Sequence, residues 1–152
     1  MNTLVAIAIT VVGAAAAANA VRPAVEASAQ IVARALFLAD LARLDAFLLE
    51  VCSQVDYASA AVRASSEGVA IREESRGDLG AGSNAPSLRL SGTARGVVAA
   101  SGGSRYASAR IRVTEIRVTG GETPCLRVTA TDPGRRDEEA WVLVAPFGRR
   151  TE

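Results

Sequence analysis

The sequence predicts an α+β fold: a long N-terminal helix, apolar in its first half and amphipathic in its second, packed on a small antiparallel β-sheet. Three observations carry this. Residues 3–20 hold no charged side chain, and the first charge after them is Arg22. Leu41, Leu44, Leu48, Cys52 and Val55 then recur at steps of three or four, which places them on one helical face. In the last third, apolar and polar residues alternate with period two, the mark of strands with one wet face. A chain of 152 residues has room for one domain and an appendage.

The first element is the run from Asn2 to Pro23. As a helix rising about 1.5 Å per residue, residues 3–20 would extend about 27 Å, close to the roughly 30 Å of a bilayer's hydrocarbon core. The second element, residues 24–66, keeps the helical period and gains charge. Leu41, Leu44, Leu48 and Val55 are its expected packing face toward the sheet, and Leu38 and Val51 widen that stripe. No glycine interrupts between Pro23 and Gly68. The third element, residues 67–152, is a head of strands. Val69 to Ile71 is a short strand, and a turn-rich loop over 77–86 leads to another at Ser87–Leu90. Gly92 and Gly96 make Thr93–Ala100 a weak strand. Ala109, Ile111 and Val113 alternate with Arg110, Arg112 and Thr114, after which the apolar set moves to Ile116 and Val118. A bulge near Glu115 would restore one apolar face. Leu126, Val128 and Ala130 form the next strand and Trp141 to Val144 the last, giving an antiparallel meander.

The opening stretch has two readings. Ala18-Asn19-Ala20 is a small-residue cleavage site after an apolar run, so residues 1–20 could be a removed signal peptide before a secreted or periplasmic α+β binding module. Against this, no basic side chain precedes the run. The stretch Thr3-Leu4, an apolar interval and then Pro23 resembles the N-terminus of type IV pilins and type II secretion pseudopilins. There a hydrophobic first residue is followed by Thr-Leu, and a proline comes about twenty residues later. The motif resemblance covers Asn2, Thr3, Leu4, Ala6 and Pro23. It departs at Ala6, where the family carries a glutamate, and at Asn2, an unusual first residue with no basic leader ending in glycine before it.

The resemblance implies a structural subunit of a pilus-like or pseudopilus filament with a methylated N-terminus. It implies a single pass in the bacterial inner membrane before assembly, and an extracellular or periplasmic filament afterwards. The implied partners are other pilin-like subunits through the N-terminal helix, the inner membrane and the assembly machinery. The family's glutamate is taken to pair with a neighbouring subunit's amine. Ala6 cannot do so, which implies a minor or tip subunit.

Composition narrows the chemistry. The seventeen basic residues are all arginine, and the formal net charge is +1. No basic stripe announces nucleic-acid binding, and none is expected. The chain has no histidine, which removes the commonest general base and metal ligand. No nucleophile stands with its base and no phosphate-binding loop is present, so the expectation is a non-enzyme without cofactor. Asp132, Asp137, Glu138 and Glu139 offer oxygens but fit no calcium loop. Cys52 and Cys125 admit two readings: a disulfide closing a long loop, or two free thiols packed as small apolar groups.

Overall fold

A computed structural model describes residues 2–65, 68–73, 88–93, 96–134 and 139–148, with side chains described from Val21 onward except those of Ser59, Glu73 and Thr93. The chain divides into two compact units, residues 1–36 and 37–152. A single helix, α1 (Asn2–Gln54), supplies the first unit and enters the second. Eight strands follow: β1 (Ala60–Ser65), β2 (Gly68–Glu73), β3 (Leu88–Thr93), β4 (Gly96–Ser101), β5 (Ser104–Ser108), β6 (Arg112–Thr119), β7 (Cys125–Thr131) and β8 (Ala140–Pro146). They form a five-stranded antiparallel sheet in the order β1-β2-β3-β4-β5 and a three-stranded antiparallel sheet in the order β6-β7-β8. The fold is therefore α+β, with more sheet than the small one the sequence suggests.

The helix ends at Gln54, short of residue 66, and Ala60–Ser65 is a strand instead. Helix propensity was the only signal for continuing, and pairing with β2 outweighs it. The end is well satisfied. The carbonyl of Cys52 accepts from the amides of Val55 (3.1 Å) and Gly148 (3.0 Å). Asp56 then caps a turn of 3-10 helix at Tyr57–Ser59, its Oδ1 accepting from the amide of Ala58 at 3.2 Å. Gly148 must be glycine: a Cβ there would collide with the carbonyl oxygen of Ser53.

The core of the second unit lies where the helix face meets both sheets. Phe37, Leu41, Leu44, Leu48, Val51, Cys52 and Val55 are buried on α1. They share one cluster with Val69, Ile71, Leu88, Leu90, Val97 and Ala99 of the larger sheet and Leu126, Val128, Ala130, Leu143 and Ala145 of the smaller. Leu38 does not widen this stripe; it is exposed, and Phe37, which the spacing does not mark, is buried instead. A hundred degrees per residue sets Phe37 in line with Leu41 and Leu44, and Leu38 off their arc. Register keeps each sheet's apolar side coherent. Val69, Leu90, Ala99 and Tyr106 are cross-strand neighbours in one row, and Ile71 pairs Leu88 in another.

In the smaller sheet a register shift lies between Val113 and Glu115. The bulge lets Val113 oppose Ala130 and Ile116 oppose Val128, so both stay on the face that Leu143 and Trp141 continue across β8. The stretch marked as a weak strand, Thr93–Ala100, holds the last residue of β3 and most of β4, a strand paired on both sides. Gly96 closes the β3–β4 turn at φ 135°, which lets Val97 and Ala99 sit buried directly after it. The intervening strand β5 had no apolar alternation to reveal it.

The expectation of a single pass through the inner membrane is overturned: among the described residues, no helix is long and apolar enough to cross a membrane. Beyond Val21 the reason is plain in the sequence. Arg22, Glu26, Arg34, Asp40, Arg43, Asp45 and Glu50 recur along α1 too often to leave an uncharged span.

Candidate functional site

The feature of the first unit that calls for a partner is the surface of α1 between Val21 and Leu36. Val21, Val25, Val32 and Leu36 fall within about 60° of one another around the helix axis, at steps of four, seven and four. All four are exposed, Val21, Val25 and Val32 by more than half. Ile31, on the flank, is 70% exposed. Beside the stripe, Arg22 Nε donates to Glu26 Oε1 at 3.0 Å across one turn, and Gln30 and Arg34 lie behind it. The segment is amphipathic and its apolar side faces solvent. Scattered exposed valines would need no explanation, but a four-residue stripe with a polar face behind it is the pattern of a helix made to be covered.

Within the second unit, a polar latch fixes α1 to β5. Asp40 stands between helix and strand with its side chain 14% exposed. Its Oδ2 accepts from the Ser108 hydroxyl at 2.8 Å and from Arg110 Nη1 at 3.2 Å, and its backbone carbonyl accepts from the Tyr106 hydroxyl at 2.7 Å. Arg43 Nη1 adds a longer contact to Oδ1 at 3.8 Å. Ser108 also accepts from the amide of Arg110 at 3.1 Å, so its hydroxyl is used in both senses. Phe47 lies against the Tyr106 ring, centroids 6.4 Å apart. The Ser108 hydrogen bond, with lesser help from Arg110 and Arg43, holds the Asp40 carboxyl below its ordinary value of 3.8 despite the opposing effect of burial. Burial raises Tyr106 above its ordinary value of 10.0.

The latch gives a pH prediction. A carboxyl with a depressed folded pKa contributes stability that is fully present above its unfolded value of about 3.9 and is lost as pH falls through the folded value. Asp40→Asn should therefore cost about 1–2 kcal/mol at neutral pH, the scale of a charge-assisted hydrogen bond. It should also flatten the fall in Tm below about pH 4. Thermal unfolding of both proteins at several pH values checks this; parallel curves would show that Asp40 carries no linked proton.

The sequence-marked residues are placed as follows. Asn2, Thr3, Leu4 and Ala6 lie in the first turns of α1, and Pro23 lies inside the same helix. Leu41, Leu44, Leu48 and Val55 are in the core described above. Cys52 and Cys125 are both free thiols, so the structure holds no disulfide between them. Cys125 takes the other phase of β7 from buried Leu126 and Val128, and its Sγ lies 2.9 Å from the Thr119 hydroxyl. Cys52 is wholly buried, and desolvation, with Cys125 nearby, pushes its thiol up to about 12; it packs as a small neutral group. Asp132 turns its carboxylate onto the amide of Gly134 at 2.8 Å, while Asp137 and Glu138 lie outside the described residues. Among the described residues no three His, Cys, Asp or Glu side chains gather in a way that could hold a metal. The Asp40 latch was missed, because its members come from two distant segments and no local pattern joins Asp40 to Ser108.

No family model, curated protein or solved structure matches the chain.

Proposed function

We propose that this protein is a structural subunit of a filament of the type IV pilus or type II secretion pseudopilus kind, and that α1 is the element through which subunits assemble. The observation that carries the reading is the exposed stripe of Val21, Val25, Val32 and Leu36. It needs an apolar cover, and helices of neighbouring subunits with the same stripe supply one. The uncharged run of residues 3–20 suits the same role, because a side chain ionised inside a helix bundle would have to be desolvated. Gly13 and the alanines from Ala14 to Ala18 would let neighbouring helices approach closely. Pro23 removes the donor that would have bonded the carbonyl of Asn19, leaving a joint where the helix can bend on assembly.

Ala6 supports a minor or tip position for such a subunit. With no carboxylate there, it cannot neutralise the N-terminal amine of a neighbour. A minor or tip position, with no subunit preceding it, avoids leaving that amine unpaired in a dry core. The head would then be the working surface, held on the helix by the apolar core and the Asp40 latch.

The mature N-terminus separates this reading from a secreted binding module. Mass spectrometry of the protein recovered from its native cells should find a chain that keeps Thr3 and Leu4, with a methyl group on the amine of Asn2. A chain beginning at Val21 would exclude a filament built on residues 2–20 and would favour the secreted module.

A further inference from the structure

Two sheets have four edges, and three of them are blunted by charge. Strand β1 carries Arg63, β5 carries Arg105, and β6 carries Arg112, Glu115 and Arg117 together with its bulge. Charged side chains and bulges are the ordinary devices that keep sheet edges from pairing with other chains. The fourth edge, β8, reads Ala-Trp-Val-Leu-Val-Ala-Pro and has no charge in it. Its outer face shows Val142 at 52% and Val144 at 44% exposure, while Leu143 and Ala145 are buried on the other side.

The direction of its free backbone groups follows from the register. The amide of Phe147 donates to the carbonyl of Pro124 at 3.0 Å, so residue 147 points its backbone at β7. The β7–β8 pairing runs without a shift from Pro146 back to Ala140. Ala145, Leu143 and Trp141 therefore also point at β7, and Val144, Val142 and Ala140 point away from it. The amide of Gly148, pointing the same outward way, is taken by the Cys52 carbonyl, which marks where the open edge stops. Pro146 falls on the outward set, where a missing N–H is tolerated.

We propose that β8 is an interaction edge whose partner is β8 of a second copy, paired antiparallel about Leu143. Each Val142 amide then donates to the second copy's Val144 carbonyl and each Val144 amide to its Val142 carbonyl. Each Ala140 amide meets the carbonyl of Pro146. No donor is stranded, because Pro146 has none. On the outer face the four valines of the two strands form one apolar cluster, and Leu143 faces Leu143 beneath it. A shift by one residue would set outward groups against inward ones, and a shift by two toward the C-terminal end would set Val142 against Pro146, which has no N–H to donate, so pairing about Leu143 loses fewer bonds. With no charge in β8, self-pairing about Leu143 sets no like charges against each other, which makes a second copy the fitting occupant. The two sheets become one of six strands. This edge lies in the second unit and does not depend on the assembly of α1.

Pairing along one short strand is a small interface, so association should be weak and visible mainly at high concentration. Residue-resolved amide hydrogen exchange on the full chain tests it, at about 10 µM and at about 1 mM. The expected result is that the Val142 and Val144 amides exchange freely when dilute and slow by about tenfold when concentrated, while the Leu143 amide stays protected at both. Val144→Lys should abolish the concentration dependence. Should that variant not fold, contacts between Val142 and Val144 methyls in a mixture of labelled and unlabelled wild-type chains give the same answer. Equal exchange at both concentrations overturns the proposal, whether fast or slow. So does protection that survives Val144→Lys, or that appears only when a different protein is added.

Discussion

Leu48→Ala should destabilise the second unit by about 3–4 kcal/mol, lowering its Tm by roughly 10–20 °C. Leu48 is fully buried at the centre of the α1 face, one turn from Leu44 and Cys52, with both sheets contributing to the cluster around it. Truncation removes about three methylene-equivalents of burial. It also leaves a cavity that cannot collapse, since the neighbouring positions lie on one rigid helix and two paired sheets. Leu48→Met, which keeps the volume, should cost less than about 1.5 kcal/mol. Urea titration of the three proteins measures this; a loss below about 1 kcal/mol for the alanine variant would mean that the helix face is not docked as described. Leu38→Ala serves as the internal comparison. Leu38 stands one turn before Leu41 but is exposed, so the same chemical change there should be nearly neutral.

That contrast shows how far the sequence could be read. The spacing from Leu41 to Val55 found the buried face because three-and-four periodicity is a direct record of helix geometry. At its margin Phe37 and Leu38 both keep a plausible step to Leu41, so step counting alone marks Leu38; the helical angle favours Phe37, and Phe37 is the one buried. Alternation found β6, β7 and β8, and the move from Val113 to Ile116 located the bulge, because a bulge leaves its trace in the phase of the apolar residues. Strand β5 left no such trace: Ser104, Arg105, Tyr106, Ala107 and Ser108 are mostly polar, and Tyr106 earns its place through a hydrogen bond to a helix carbonyl. The end of α1 at Gln54 was also hidden, because Ala60–Ser65 reads as helix or strand and its partner β2 settles the matter.

The candidate surface was legible in a different way. The exposed stripe from Val21 to Leu36 was missed as a stripe, since the sequence shows only valines among alanines and small polar residues. Burial on the folded chain picks out the four that lie together. The membrane expectation rested on the length and apolarity of residues 3–20, and it does not survive among the described residues. The proposed cover for the stripe is another helix of the same kind.

The central claim is assembly through that stripe, and its largest expected effect is a loss of assembly. Replacing Val32 and Leu36 with glutamate would place two carboxylates inside a helix–helix contact, at a cost of several kcal/mol in each subunit interface. Neither residue belongs to the buried core, so the head should keep its circular dichroism and its Tm. Sedimentation velocity of the full chain is the direct measurement. The account predicts that the wild-type protein forms concentration-dependent oligomers through α1 and that Val32→Glu/Leu36→Glu leaves only small species, at most a weak dimer through β8. A wild-type chain that stays monomeric at all concentrations, or a double variant that assembles as the wild type does, would contradict it.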